Sequence, residues 1–185
     1  DPCCGGGYLV TVLGLLNPSA IRKFVCSDID EGAVGLARSN LSLLTMDGLL
    51  RRRDQIVEMA GAFNKQSHRD ALESADRFIK IVHDRPFVPE IKCFVSDALD
   101  KTAFCCEGFR ADIVIADVPY GNLSMWSDEK ADAVNLLLDS VKCVIHEDSV
   151  IAVICDKSQK VRNSGYKRLE RFKAGKRVVE ILMPA

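Results

Sequence analysis

Three aspartates, Asp28, Asp97 and Asp117, each stand just past the end of a short apolar run. In open α/β sheets, ligands bind outside the carboxyl ends of the strands, so a carboxylate repeated at strand ends reads as a ligand-binding rim. Asp28, in Cys-Ser-Asp-Ile-Asp, lies about twenty residues beyond a run of glycines and can accept both hydroxyl hydrogens of a ribose. Asp97, in Ser-Asp-Ala, can accept from an adenine amino group, with Ala98 small enough to leave room for the ring. Asp117 opens Asp-Val-Pro-Tyr-Gly. There Pro119 stops the strand and stiffens the turn. Tyr120 could stack on a flat ring while Asp117 accepts from an amino group. Each acid has a plainer reading as a helix or turn cap, and Tyr120 could be a packing residue in a structural turn.

The chain opens with Asp1-Pro2-Cys3-Cys4-Gly5-Gly6-Gly7-Tyr8, directly before an apolar stretch with helical character. Glycines allow close approach of backbone to a ligand, and a helix amino end favours a carboxylate. A plain turn would use the same residues. The Asp1 carboxylate could attract an ammonium group, which a phosphate-binding loop would not accommodate.

The elements that must position these residues alternate. Residues 22–27, 91–95, 112–116 and 149–155 read as strands, apolar enough to be covered on both faces, as in a parallel sheet. Val34, Ala37, Leu41 and Leu44 recur at helical spacing after the first strand. Ala131, Val134, Leu137, Leu138, Val141 and Ile145 do so after the third. Two extended runs around Ala174-Gly175 predict an antiparallel hairpin at the end of the chain. The expectation is one α/β domain over residues 1–185, with a helical insertion at 47–90 that holds about two further helices. The bases of that insertion are offset by as many acids, which favours an amphipathic cover over an RNA clamp.

Composition narrows the partners. Nine bases and one acid, Glu170, lie between Lys157 and Arg177, where a solvated face would mix signs. A polyanion is the natural partner. The eight cysteines include no Cys-x-x-Cys pair, and Cys26, Cys93 and Cys155 sit inside strand-like runs. They read as buried reduced thiols rather than zinc ligands, which fits a cytoplasmic protein. No apolar stretch reaches the ~20 residues that span a bilayer. We expect a monomer that needs no metal, and assign no catalytic role to His68, His83 or His146.

The order Asp-Pro-x-Cys-Gly-x-Gly, Ser-Asp-Ile-Asp, Ser-Asp-Ala, Asp-x-Pro-Tyr-Gly resembles class I S-adenosylmethionine-dependent methyltransferases, with a Rossmann-like fold. The Asp-x-Pro-Tyr element is similar to the signature of those acting on planar amino groups, with Val118 in place of a proline. A closer resemblance covers most of the chain. The opening sixteen residues, the insertion, Asp-Val-Pro-Tyr-Gly followed by Trp126, and the ending Leu-Glu-Arg-Phe-Lys-Ala-Gly-Lys-Arg resemble the avilamycin-resistance ribosomal RNA methyltransferase family.

That resemblance implies S-adenosyl-L-methionine as cofactor and a guanine exocyclic amine of 23S-like ribosomal RNA as acceptor, with antibiotic resistance as a consequence. It implies that Asp1, Cys3, Gly5 and Gly7 surround the methionine moiety, that Asp28 holds the ribose, and that Asp97 meets the adenine edge. Asp117, Pro119 and Tyr120 would place the base, with Trp126 as a stacking residue. It also implies a strand feeding the glycine loop that this sequence, beginning at Asp1, does not contain. We therefore expect an upstream segment that supplies this strand, and in the structure either an open slot beside that loop or an amino-terminal stretch that is not seen. A methyltransferase for DNA adenine or protein glutamine, or an RNA-binding domain without turnover, would share these features.

Overall fold

The computed structural model describes residues 1–63, 65–105, 107–118 and 132–185. The elements run α1 (Tyr8–Leu16), β1 (Lys23–Asp28), α2 (Glu31–Ser42), α3 (Met46–Phe63), α4 (Gln66–His83), β2 (Glu90–Val95), β3 (Ile113–Asp117), α5 (Ala133–Val141), β4 (Val150–Asp156), β5 (Tyr166–Ala174) and β6 (Arg177–Pro184). Every strand expected from the sequence is present within a residue or two. The insertion is two long helices, α3 and α4. Ala131 lies outside the described residues, whereas Val134, Leu137, Leu138 and Val141 are buried on α5 and Ile145 is buried beyond its end.

The strands form two sheets, β1-β2 and β3-β4-β6-β5. In the first, Glu90 N donates to Arg22 O and Ser96 N to Asp28 O, both chains advancing together, so the pair is parallel. In the second, β3 and β4 are parallel and β6 and β5 continue antiparallel. The alternation of apolar strands and helices explains the parallel pairs, and Gly175, with φ of 61°, makes the left-handed turn of the terminal hairpin.

The chain divides into two compact units. One holds Cys4–Cys26 and Asp30–Phe94, and the other holds Asp1–Cys3, Ser27–Ile29 and Val95–Ala185. In the first, Cys4, Val10, Phe24, Cys26, Ala37, Leu41 and Leu44 form one core. Gly14 lets α1 enter it: a Cβ there would lie 2.7 Å from a Leu44 methyl and 2.8 Å from the Phe24 ring. Cys26 lies beside Cys4 and Cys93, and its thiol is pushed up to about 11, through the Cys4 contact before burial. Arg85, also buried, donates to Leu44 O at 3.0 Å and Gly14 O at 2.7 Å. It thereby ties the end of α4 to the carbonyls ending α1 and following α2. Burial lowers its pKa.

In the second unit the strands bury alternate residues, among them Val114, Ala116, Ile151, Val153, Cys155, Val178 and Leu182. Glu180 is buried in the same series, opposite Val153 and Arg171. Arg168 Nη1 and Arg171 Nε each reach its carboxylate at 3.2 Å. A buried carboxylate is tolerated only when so compensated.

Candidate active site

The residues expected to do chemistry lie mostly in the second unit, and local hydrogen bonds explain how three of them meet. Ser27 N donates to Asp1 O at 2.9 Å, and Ser27 Oγ to Pro2 O at 3.4 Å. The opening residues are thus laid against the end of β1, where Asp28 stands. Ser96 N donates to Asp28 O at 2.9 Å, which brings the turn holding Asp97 alongside. Asp30, two residues on, spends its carboxylate capping α2 through Ala33 N at 2.6 Å.

The Cys3 thiol reports on all three strand-end acids. It is pushed up from 9.0 to about 12, first by burial and then by Asp28, with Asp97 and Asp117 adding to the same effect. A buried thiol is hard to ionise, and nearby carboxylates make it harder. Asp28, Asp97 and Asp117 thus all lie close enough to Cys3 for their charges to act on its thiol.

Asp97 partly follows its plainer reading: its Oδ1 accepts from Leu99 N at 2.9 Å and closes a turn. Asp117 ends β3 and is about one-third exposed. Arg177 Nη1 donates to both of its oxygens at 2.5 Å. The pair spans β4, because Asp117 lies beside Ile154, while Arg177 lies beside Asp156 at the start of antiparallel β6. Asp117, Asp156 and Arg177 therefore share the end of the sheet where parallel strands finish. Asp156 is occupied there by Ser158, whose N–H and hydroxyl hold its carboxyl below the usual range.

Gly5 and Gly7 belong to the other unit and have φ of 50° and 70°, the backbone that favours glycine. A Cβ on Gly7 would also come within 3.0 Å of Ala37, so α1 begins tight against α2. Pro119, Tyr120 and Trp126 lie outside the described residues.

Residues 1–177 match the family model described as rRNA methyltransferase AviRa. The chain belongs to that family. Its full length is also 35% identical to 75% of a Streptomyces viridochromogenes protein named 23S rRNA (guanine(2535)-N(1))-methyltransferase. A solved structure of rRNA methyltransferase AviRa from the same organism superposes with a TM-score of 0.86, at 34% identity, over 99% of this chain and 74% of that one. A ribosomal protein L11 methylase from Lactobacillus delbrueckii subsp. bulgaricus, 10% identical with a TM-score of 0.55 over 100% of this chain and 68% of its own, shares the fold. The Rossmann-like α/β architecture expected from the sequence is that of the AviRa structures.

Two features of this AviRa-family chain were not read from the sequence as parts of the site. Arg177 was counted among bases facing a polyanion, and the structure instead sets it on Asp117. Arg168 and Arg171 are likewise occupied, by Glu180. The acid that balances them lies on the neighbouring strand, outside the span in which charges were counted. The second feature is Ile29, next to Asp28 and 55% exposed, an apolar surface beside a candidate ribose ligand. An isoleucine between two aspartates at a strand end was the available signal.

Proposed function

We propose that this chain transfers a methyl group from S-adenosylmethionine to a guanine of 23S ribosomal RNA, at the ring nitrogen N1. The observation that carries the reading is the row of acids at the carboxyl ends of the strands: Asp28 ends β1, Asp97 follows β2 and Asp117 ends β3. Family membership supplies the reaction class. The exocyclic amine expected from the sequence gives way to N1 because the relative at 35% identity is named for that position. The two nitrogens are neighbours on one edge of the base, so one carboxylate can address both N–H groups.

The donor set fits S-adenosylmethionine. Asp28 would accept from the ribose hydroxyls, with Ile29 as the apolar surface for the adenine and Asp97 as acceptor for its amino group. Asp1 would attract the ammonium of the methionine end. Cys3, kept as a neutral thiol, would line the site without competing as a nucleophile for the methyl group. The positive-φ backbone at Gly5 and Gly7 supports the role the sequence assigns to them.

When bound, S-adenosylmethionine supplies an electrophilic methyl on a sulfonium. Asp117 would accept the hydrogen bonds of the guanine N1–H and exocyclic amine. It would take the N1 proton as that nitrogen is methylated, leaving a neutral carboxylic acid and a neutral methylated base. Arg177 fixes the plane of the carboxylate, and holding reactants in register can supply ~7–11 kcal/mol of the barrier. Pro119 and Tyr120 keep their expected part in placing the base, and resistance to an antibiotic that binds the large subunit would follow from the modified guanine.

Calorimetry tests the donor. Wild-type protein should bind S-adenosylmethionine, and Asp28→Ala should bind it more than tenfold more weakly, since hydrogen bonds to charged groups contribute ~1.5–3 kcal/mol each. Labelled methyl incorporation tests the acceptor: counts in 16S and none in 23S ribosomal RNA would reject it.

A further inference from the structure

Besides the basic run 157–177, where Arg168, Arg171 and Arg177 are paired with acids, the fold brings a second set of bases together. Between α2 and α3, within the first unit, is an open cleft of about 370 Å³. Arg38, Ser39 and Ser42 line it from α2, and Arg51, Arg52 and Gln55 from α3. Among the described residues no carboxylate lines it. Gly48 sets its width: a Cβ there would stand 2.0 Å from Ser42 O, so only glycine lets the first turn of α3 press against the end of α2. Three arginines from two helices are thereby brought around one hollow.

Their charges are unspent. Arg38 donates to the Cys93 carbonyl at 3.1 Å and Arg52 to the Gln55 amide oxygen at 3.3 Å, both neutral acceptors. Among the described residues none of the three makes an ion pair. The adjacent Arg53 shows the contrast: it pairs with Asp76 at 2.8 Å, and Asp54 adds to the same attraction. One arginine of the run Arg51-Arg52-Arg53 thus joins α3 to α4, while the other two line a cleft that no acid of the described residues lines. Guanidinium forks match phosphate oxygens two at a time, and serine hydroxyls and a glutamine amide add neutral donors.

We propose that the α2–α3 cleft is a cradle for the sugar–phosphate backbone of the RNA substrate. This rests on the proposed function, since it supplies the grip that a ribosomal RNA enzyme requires. Phosphate contacts position a nucleic acid without reading its sequence, and they make affinity fall with salt in proportion to the phosphates neutralised.

The test is equilibrium binding of a labelled 23S ribosomal RNA fragment across a potassium chloride series, for the wild type and for Arg51→Gln/Arg52→Gln. Both side chains are exposed, so the double variant should fold, and unchanged S-adenosylmethionine affinity would confirm that it does. Affinity should drop at least tenfold at low salt. The slope of log affinity against log salt should shrink by about 1.4–1.8, two phosphate contacts at ~0.7 each for a single strand or ~0.9 each for a B-form duplex. In methyl transfer, KM for RNA should rise tenfold with kcat within twofold. A wild type that neither binds nor methylates the RNA would overturn the functional reading and the cradle with it. A wild type that does both, with a double variant of unchanged affinity and slope, would overturn the cradle alone. If inorganic phosphate raises the melting temperature of the wild type and not of the variant, while RNA binding is equal in both, the cleft serves a free anion and the RNA assignment fails.

Discussion

Two basic regions of this protein look alike in composition and differ in what their arginines face. In the β5–β6 hairpin, Arg168 and Arg171 close on buried Glu180 and Arg177 closes on Asp117. In the α2–α3 cleft, Arg38, Arg51 and Arg52 line one hollow that no carboxylate of the described residues lines. The first set is committed to holding the sheet and aiming a candidate catalytic acid. The second is open to a ligand. A count of bases along the chain cannot distinguish them, because the partner that decides the role of each arginine sits on another strand or helix.

The comparison breaks first at Asp117, where the largest effect is expected. Asp117→Asn keeps the shape and removes the charge, so methyl transfer should fall at least a thousandfold, while S-adenosylmethionine and RNA affinities stay within a few-fold. Turnover near the wild-type level would remove Asp117 from the chemistry, and with it the reason for Arg177 to be there.

Next in size is the hairpin's contribution to stability. Arg168→Ala/Arg171→Ala strands the Glu180 carboxylate in the sheet, and losing the partners of a buried charge costs ~3–5 kcal/mol. Denaturant unfolding should register most of that loss, reduced to the extent that water reaches the half-exposed arginine positions. Adding Glu180→Leu should restore stability, since an apolar residue suits a site beside Val153. If the double variant instead unfolds like the wild type and loses RNA affinity, the hairpin rather than the cleft is the RNA surface.

Arg177 gives a finer division. Arg177→Gln should lower kcat by about ten- to a hundredfold, as expected when ~1.4–2.8 kcal/mol of alignment is lost. KM for RNA should be unchanged, the opposite of the pattern expected from Arg51→Gln/Arg52→Gln. A raised KM with intact kcat would class it with the phosphate contacts.

The smallest effect concerns the thiols, raised in both units. Cys26 and Cys155 are pushed up to about 11 and Cys3 to about 12, against 9.0 for an ordinary thiol. An acid with a raised folded pKa stays protonated in the native state after the unfolded chain has begun to ionise. Its stabilisation is therefore complete below about pH 9 and lost as pH rises towards 11–12. Unfolding free energy should decline across that window, and alkylation of Cys3, Cys26 and Cys155 in the native protein at pH 8 should be slow, as read by mass mapping of the labelled thiols. Stability that rose with pH there would show the thiols to be ionised in the fold.

Much of the architecture was legible because hydrophobic period carries it. The apolar runs ending at Asp28, Val95, Asp117 and Asp156 became strands, and Val34, Ala37 and Leu41 became the buried face of α2. The three strand-end acids were legible for the same reason, since their exposure follows from where apolar runs stop. What escaped depended on register and packing. Glu180 alternates with valines and leucines, and nothing in the sequence of β6 says that Arg168 and Arg171 will lie beside it. The cleft escaped because Arg38 is on α2, before the insertion, and because the acids that seemed to neutralise the insertion serve other bases, as Asp76 serves Arg53.

The most direct test of the whole account is mass mapping of 23S ribosomal RNA after incubation with wild-type protein and S-adenosylmethionine. One added methyl should appear, on N1 of a single guanine, and be absent with Asp117→Asn. A methyl on another base, or an unchanged yield from Asp117→Asn, would contradict it.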